Sequence, residues 1–269
     1  MPELPEVETI RRQLSPIAVK KKIVGIEVLE KRSFIGDKAL ALNKTIKDVG
    51  RRAKVLRFVF ADDSALFIHF KMTGQMFWQK KGEFTPAEFT RVILDLSDGS
   101  RLLFNDPRKF GWIKTVADIK KEPANGSIEP LTGEFTLNKF SEVLKKSRKP
   151  IKILLMDQEK IGGIGNIYAN ESLFAAGIDP FRVAGSLDDA EIKKLHKAIL
   201  AILKKAIECH GSSGKDEWYR QIDGKPGCYQ EHFLVYQRNG LKCPGHCDGE
   251  VVRKKQGGRS SFYCPACQK

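Results

Sequence analysis

The chain begins Met1-Pro2-Glu3-Leu4-Pro5-Glu6. A small second residue directs removal of Met1, which would leave Pro2 as a secondary-amine terminus. An α-amino group titrates near ~8 without help. At the start of a helix, the positive end of the macrodipole would lower that value further. A secondary amine that attacks an aldehyde-like carbon forms an iminium ion, which withdraws electrons and labilises neighbouring bonds. Glu3 and Glu6 are spaced i, i+3 and can share a helix face. They offer a proton donor and a proton acceptor beside the nucleophile. Proline and acids in a first turn are also ordinary helix-start chemistry. Val7, Ile10 and Leu14 continue an apolar face behind them.

Four cysteines close the chain as Cys243-x3-Cys247 and Cys264-x2-Cys267, with sixteen residues between the pairs. Paired thiols on two knuckles suit one tetrahedral zinc, and four sulfur ligands leave no open catalytic position. His246 is a lesser alternative ligand. Arg253, Lys254, Lys255 and Arg259 make the intervening hairpin basic, as a phosphate-facing tip would be. Upstream, Gly162-Gly163-Ile164-Gly165-Asn166 is a tight glycine turn. It places Asn166 at a helix N-cap, where side chain and free amides can hold a phosphate. Lys152 and the run Lys145–Lys149 precede it. The loop Asn105–Gly111 carries Arg108 and Phe110, and Met72 lies in His69–Gly74. On polar, glycine-containing loops such side chains can wedge into a base stack; packing in a core is the competing reading for Phe110 or Met72 alone.

These groups need a scaffold. The chain has 269 residues, a length that accommodates two domains. Its formal charge of +14 points to a polyanionic partner, with nucleic acid the default, although a lysine-rich soluble surface gives the same charge. No segment reaches the ~18 apolar residues of a membrane span, and the acidic start is unlike a signal peptide. A bacterial-type cytoplasm is the expected compartment. After the first helix, Ile23–Leu29, Ala53–Phe60, Ala65–Phe70, Arg91–Leu96, Arg101–Phe104 and Trp112–Val116 read as short strands, with a hairpin signal at Asp98-Gly99-Ser100. Turn-rich segments 122–126 and 130–133 lead into helices over 137–146, 151–158 and 166–176, the last stopped by Gly177. A long helix starts at Ser186, and 211–230 reads as a mobile polar loop. The expected fold is therefore α+β. It comprises an N-terminal antiparallel β-sandwich with a leading helix (1–125), a helical domain (126–235) and a cysteine hairpin (236–269).

In combination, these motifs resemble the formamidopyrimidine-DNA glycosylase family, which also includes endonuclease VIII. The resemblance runs end to end. It rests on Pro2–Thr9, Gly50–Lys54, His69–Gly74, Asp106–Gly111, Gly163–Glu171 and the cysteine finger. Leu4 and the Arg108/Phe110 loop resemble the formamidopyrimidine branch. The resemblance implies a helix–two-turns–helix in the helical domain and a monomer acting on damaged double-stranded DNA. The enzyme would excise 8-oxoguanine opposite cytosine and formamidopyrimidines, then cut the abasic strand by β,δ-elimination. Pro2 would attack C1′, with Glu3, Glu6 and Lys54 as the other catalytic residues. Met72, Arg108 and Phe110 would fill the gap left by a flipped nucleotide, Arg108 reading the orphaned cytosine. His69, Lys152, Asn166 and Arg259 would grip phosphates, and 211–230 would close over the base. One structural zinc on Cys243, Cys247, Cys264 and Cys267 would complete the finger.

Two departures from the family stand out. The first knuckle has three intervening residues instead of two, and Phe89-Thr90-Arg91 lacks the histidines often found there. Three other readings remain open from the sequence. These are a preference for oxidised pyrimidines, lesion recognition without cutting, and a finger that binds protein.

Overall fold

The computed structural model describes every residue except 84, 86, 121–125, 215–217 and 246. The expected linker at 122–126 therefore lies largely outside the described residues. The chain forms two compact units. Unit 1 comprises Met1–Ala124 and Ile207–Gln230, and unit 2 comprises Asn125–Ala206 and Glu231–Lys269.

Unit 1 opens with helix α1 (Leu4–Ala18). Its face of Leu4, Val7, Ile10, Leu14 and Ala18 is fully buried, at about 1.5–3 kcal/mol for each large side chain. Two sheets follow. One has the order β2-β9-β5-β4-β3, built from Phe34–Ile35, Trp112–Val116, Ala65–His69, Val55–Phe60 and Ile46–Arg52. The other has the order β1-β7-β8-β6, from Ile23–Val28, Thr90–Leu96, Arg101–Asn105 and Gln75–Gln79. Both are antiparallel apart from the short β2–β9 pair. Residues of α1 and of both sheets share one apolar core with Tyr219 and Ile222.

The expected sandwich is present, with three strands that periodicity does not reveal: the two-residue β2, β3 and β6. In β3 a register shift between Ile46 and Asp48 breaks the two-residue alternation, so Ile46 and Val49 both face inward. In β6 only Met76 is fully buried, between flanking glutamines.

Unit 2 contains α2 (Leu137–Lys145), α3 (Ile151–Leu155), α4 (Asn166–Ala176) and all but the last two residues of α5 (Asp189–Glu208). Gly177 ends α4 at φ +71°, as its position predicts. Helix α5 starts three residues later than expected. The Glu191 amide donates to Asp188 (2.8 Å) and the Asp188 amide to Glu191 (2.9 Å), a reciprocal cap that fixes the first turn. The hairpin β10 (Val252–Gln256) and β11 (Arg259–Tyr263) closes the chain.

Candidate active site

Pro2 is buried immediately before Glu3, the N-cap of α1. Glu3 and Glu6 are 2% and 1% exposed. The Glu3 amide donates to Glu6 Oε2 at 2.8 Å, and the Ser212 amide donates to Glu6 Oε1 at 2.9 Å. Two backbone donors thus fix both oxygens of one carboxylate. Gly211, at φ +82°, permits this approach, because a Cβ there would lie 2.9 Å from Glu6. Gly227 crosses close behind, where a Cβ would lie 2.3 Å from the Gly211 carbonyl oxygen. The Tyr219 hydroxyl is held neutral, its pKa raised by burial and then by Glu6.

The reading of 211–230 as a mobile loop is corrected for most of its length. Tyr219 and Ile222 lie in the core, and the Trp78 amide of β6 donates to the Ile222 carbonyl at 2.9 Å. The Ser213 hydroxyl donates to the Tyr219 carbonyl and accepts from the Gly227 amide. The stretch 215–217 lies outside the described residues.

Lys54 is 6% exposed in the two-residue turn between β3 and β4. The register sets His69 of β5 opposite Val55, and Trp112 of β9 opposite His69. The His69 Nδ1 accepts from the Lys71 amide at 3.0 Å, so any proton on the neutral ring sits on Nε2. Burial, then Lys71 and Lys54, pull the His69 pKa down to about 4. In the free protein His69 is therefore a neutral ring at pH 7, with its N–H on Nε2.

Two loops of unit 1 carry the residues expected to form a wedge. Asp106 is fully buried and organises both. Its carboxylate accepts from the Thr73 hydroxyl, the Arg108 amide (3.2 Å) and the Gly111 amide (2.6 Å). Met72 neighbours Thr73 in the chain, and Phe110 is 54% exposed. The Arg108 guanidinium lies over the Phe110 ring, 5.0 Å from its centre. Arg91, within the histidine-free segment, donates to the Asp106 carbonyl at 2.9 Å and braces the same loop.

In unit 2 the glycine turn is organised by Gln158. Its side chain accepts from the Gly163 amide and donates to the Met156 and Ile164 carbonyls. Gly165 is the N-cap of α4, so Asn166 is the first helical residue, one position later than expected. Its Oδ1 is buried without a hydrogen bond among the described residues. Lys152 also differs from expectation. It is fully buried, and its ammonium donates to the Ser260 carbonyl (2.8 Å) and the Ser261 hydroxyl (2.9 Å). It anchors β11 instead of reaching solvent. Helix α4 grips the same module. Asn170 accepts from the Phe262 amide at 2.9 Å, and Glu171 accepts three amides of Leu234, Val235 and Tyr236 at 2.7–3.0 Å. Arg259 is exposed at the hairpin tip, after Gly257 and Gly258.

The sulfurs of Cys243, Cys247, Cys264 and Cys267 lie within 4.8 Å of one another. Tetrahedral zinc with bonds near 2.3 Å requires sulfurs about 3.8 Å apart. The Cys243–Cys267 and Cys247–Cys264 separations are 3.6 and 3.7 Å, while Cys247–Cys267 is closer at 2.9 Å. The four thiols suit a metal ion. Gly245 lies against the cluster, where a Cβ would be 3.1 Å from the Cys267 sulfur. The longer knuckle thus turns on a residue that glycine fits best. His246 lies outside the described residues.

Residues 1–113 match the family model of the formamidopyrimidine-DNA glycosylase N-terminal domain, and 127–217 match that of the formamidopyrimidine-DNA glycosylase H2TH domain. The formamidopyrimidine-DNA glycosylase of Pelotomaculum thermopropionicum is 40% identical over 278 residues, covering 100% of this chain and 99% of the relative. The chain belongs to the formamidopyrimidine-DNA glycosylase family. The crystal structure of the MutM (Fpg) protein from Thermus thermophilus superposes with TM-score 0.90 at 38% identity, covering 99% of this chain and 98% of that one. A complex of the Lactococcus lactis protein with abasic-site DNA superposes with TM-score 0.89 at 33% identity, covering 99% of each chain. The protein is accordingly a DNA-repair glycosylase and abasic-site lyase.

Pro2, Glu3, Glu6, Lys54, His69, Met72, Arg108 and Phe110 all lie in unit 1. Unit 2 holds Asn166, Lys152, Arg259 and the cysteines. Sequence reasoning missed Ser212 and Asp106. Ser212 acts through its amide, which carries no sequence signal. Asp106 precedes proline in a loop flanked by strands, a position that could have marked it as an organiser of the turn.

Proposed function

We propose that this enzyme removes oxidised purines, including 8-oxoguanine paired with cytosine and formamidopyrimidines, and then cleaves the abasic strand. The observation that carries this reading is the buried Pro2 at the head of α1, beside Glu3 and a doubly held Glu6. Loss of Met1 frees the Pro2 amine. Its nitrogen attacks C1′ of the flipped nucleotide, and the base leaves with a proton while Glu3 assists opening of the sugar ring. The iminium acidifies the C2′ proton. Removal of that proton expels the 3′ phosphate, and a second elimination expels the 5′ phosphate. Lys54 holds the phosphate and sugar beside the lesion. Arg108 faces the orphaned cytosine, with Phe110 and Met72 filling the stack. Arg259 and the amides around Asn166 contact phosphates.

The metal is read as one zinc with a structural role, since four thiolates leave no open position. The enzyme is read as a monomer acting beside chromosomal DNA in a bacterial-type cytoplasm. No helix among the described residues is long and apolar enough to cross a membrane.

The test is borohydride trapping on duplexes holding 8-oxoguanine opposite cytosine, followed by mass mapping of the cross-linked peptide. A cross-link at Pro2 supports nucleophile and substrate class together. A cross-link only on oxidised-pyrimidine duplexes would move the substrate to that class. Trapping at another residue would remove Pro2 from the mechanism.

A further inference from the structure

Glu8 belongs to the amino-terminal motif but takes no part in the site just described. Its carboxylate collects three guanidinium groups. Oε1 accepts from Arg11 Nη2 (2.9 Å) and Arg12 Nε (2.8 Å), and Oε2 accepts from Arg11 Nε (2.9 Å) and Arg51 Nε (3.1 Å). Arg11 and Arg12 lie on the same helix as Glu8. Arg51 lies on β3, and its side chain is only 8% exposed. Arg51 continues the connection, because its Nη1 donates to the Ala53 carbonyl at 2.8 Å. Ala53 sits at φ +50°, in the left-handed region that an L side chain adopts at a cost. The next residue is Lys54.

We propose that Glu8 is a positioning residue for Lys54, acting through Arg51 and the Ala53 carbonyl to tie the β3–β4 turn to the helix that carries Pro2, Glu3 and Glu6. The inference rests on the catalytic reading of Lys54 given above. The connection is short and rigid. A planar guanidinium bridges a carboxylate and a carbonyl, which a lysine ammonium at the same place cannot do with the same forked geometry. Without the captured carbonyl, the left-handed turn would relax and Lys54 would lose its fixed height relative to Pro2. The charge state supports a permanent link. Burial opposes ionisation of Glu8, but hydrogen bonds from Arg11 and Arg12 and the charge of Arg51 outweigh it and hold the carboxyl at about 2. The link is therefore intact throughout the neutral range.

The experiment is a double-mutant cycle on the full-length enzyme with Met1 removed. It measures the single-turnover rate of Pro2 trapping on abasic-site DNA and, separately, the dissociation constant of the same duplex at fixed salt. Glu8→Gln and Arg51→Lys should each lower the rate about 10–100-fold, the scale of a small misplacement of a catalytic group. Duplex affinity should change by less than about threefold. In a Lys54→Ala background both substitutions should have almost no further effect, since the group they position is gone. Additive losses in that background would overturn the proposal, as would full rates in Glu8→Gln and Arg51→Lys. If Glu8→Gln fails to fold, Arg51→Lys, which keeps the positive charge, decides alone. Full trapping by Lys54→Ala would defeat the catalytic reading of Lys54 and the proposal with it. Loss in Lys54→Ala with additivity defeats the proposal alone.

Discussion

The Ser212 amide reaches Glu6 at 2.9 Å across 206 positions of sequence. The Glu6 carboxylate in the first turn of α1 is therefore oriented by a segment that returns to unit 1 after the helical region. The partner is an amide, so the contact depends on the path of the backbone and not on the Ser212 side chain.

That path can be tested at Gly211. Alanine there meets Glu6 at 2.9 Å and must hold φ near +82°. Gly211→Ala should displace Glu6 and lower single-turnover base excision about 10–100-fold. Thermal melting followed in parallel separates displacement from unfolding. An unchanged rate in a folded variant would show that the position of Glu6 is unimportant.

His69 should titrate at about 4 in an NMR pH series, because burial and then Lys71 and Lys54 disfavour its cation. The folded-state value lies below the ordinary 6.5, so the unfolded chain binds the proton first. Its contribution to stability is complete above about pH 6.5 and is lost as pH falls towards about 4. A neutral ring releases no counterion on meeting a phosphate. His69→Gln should therefore leave the salt dependence of DNA binding unchanged, whereas Arg259→Ala should reduce the log–log slope by about 0.9. A comparable reduction from His69→Gln would mean that the ring is charged in the complex.

Arg108 lies over Phe110, which holds the guanidinium at the loop tip before any DNA arrives. Arg108→Ala should weaken discrimination of the base opposite the lesion by about 1–3 kcal/mol. Phe110→Ala should lower excision from fully paired duplexes more than from duplexes already mismatched at the lesion, where less stacking is broken. Excision compared across the four opposite bases checks the first expectation, and an identical opposite-base preference in wild type and Arg108→Ala would refute it.

Elemental analysis should find about one zinc per chain. Chelation, or conversion of Cys264 and Cys267 to serine, should release the metal and weaken DNA binding together. Helix α4 grips Phe262 and the 234–236 segment independently of the cysteines, so unit 2 should keep most of its helical signal. Tight DNA binding by the metal-free protein would show the metal to be dispensable.

Local signals were legible where one residue type has one use. Gly177 stops α4, and the six strands read from the sequence lie within a residue or two of their expected limits. The cysteine cluster was legible for the same reason. Strand β3 was not, because its bulge puts Ile46 and Val49 on one face. Lys152 was misread because a lysine stem is apolar and its ammonium can be satisfied by the Ser260 carbonyl and the Ser261 hydroxyl. Composition sees only a charge. Asn170 and Glu171, inside the motif that carries the family resemblance, clasp backbone amides within unit 2. In each case the deciding partner includes a main-chain group of a distant segment, and main-chain groups are the same in every sequence.

Unit 1 is interrupted in the chain: residues 125–206 are made before Ile207–Gln230 supplies the amide for Glu6 and the Tyr219 and Ile222 side chains of the core. During synthesis, the helix that carries Glu6 is made well before the segment whose amide holds it. Nascent chains that stop short of Ile207 would lack the Ser212 amide that donates to Glu6. The order of translation itself delays completion of the proposed catalytic centre until helices α2, α3 and α4 have already been synthesised.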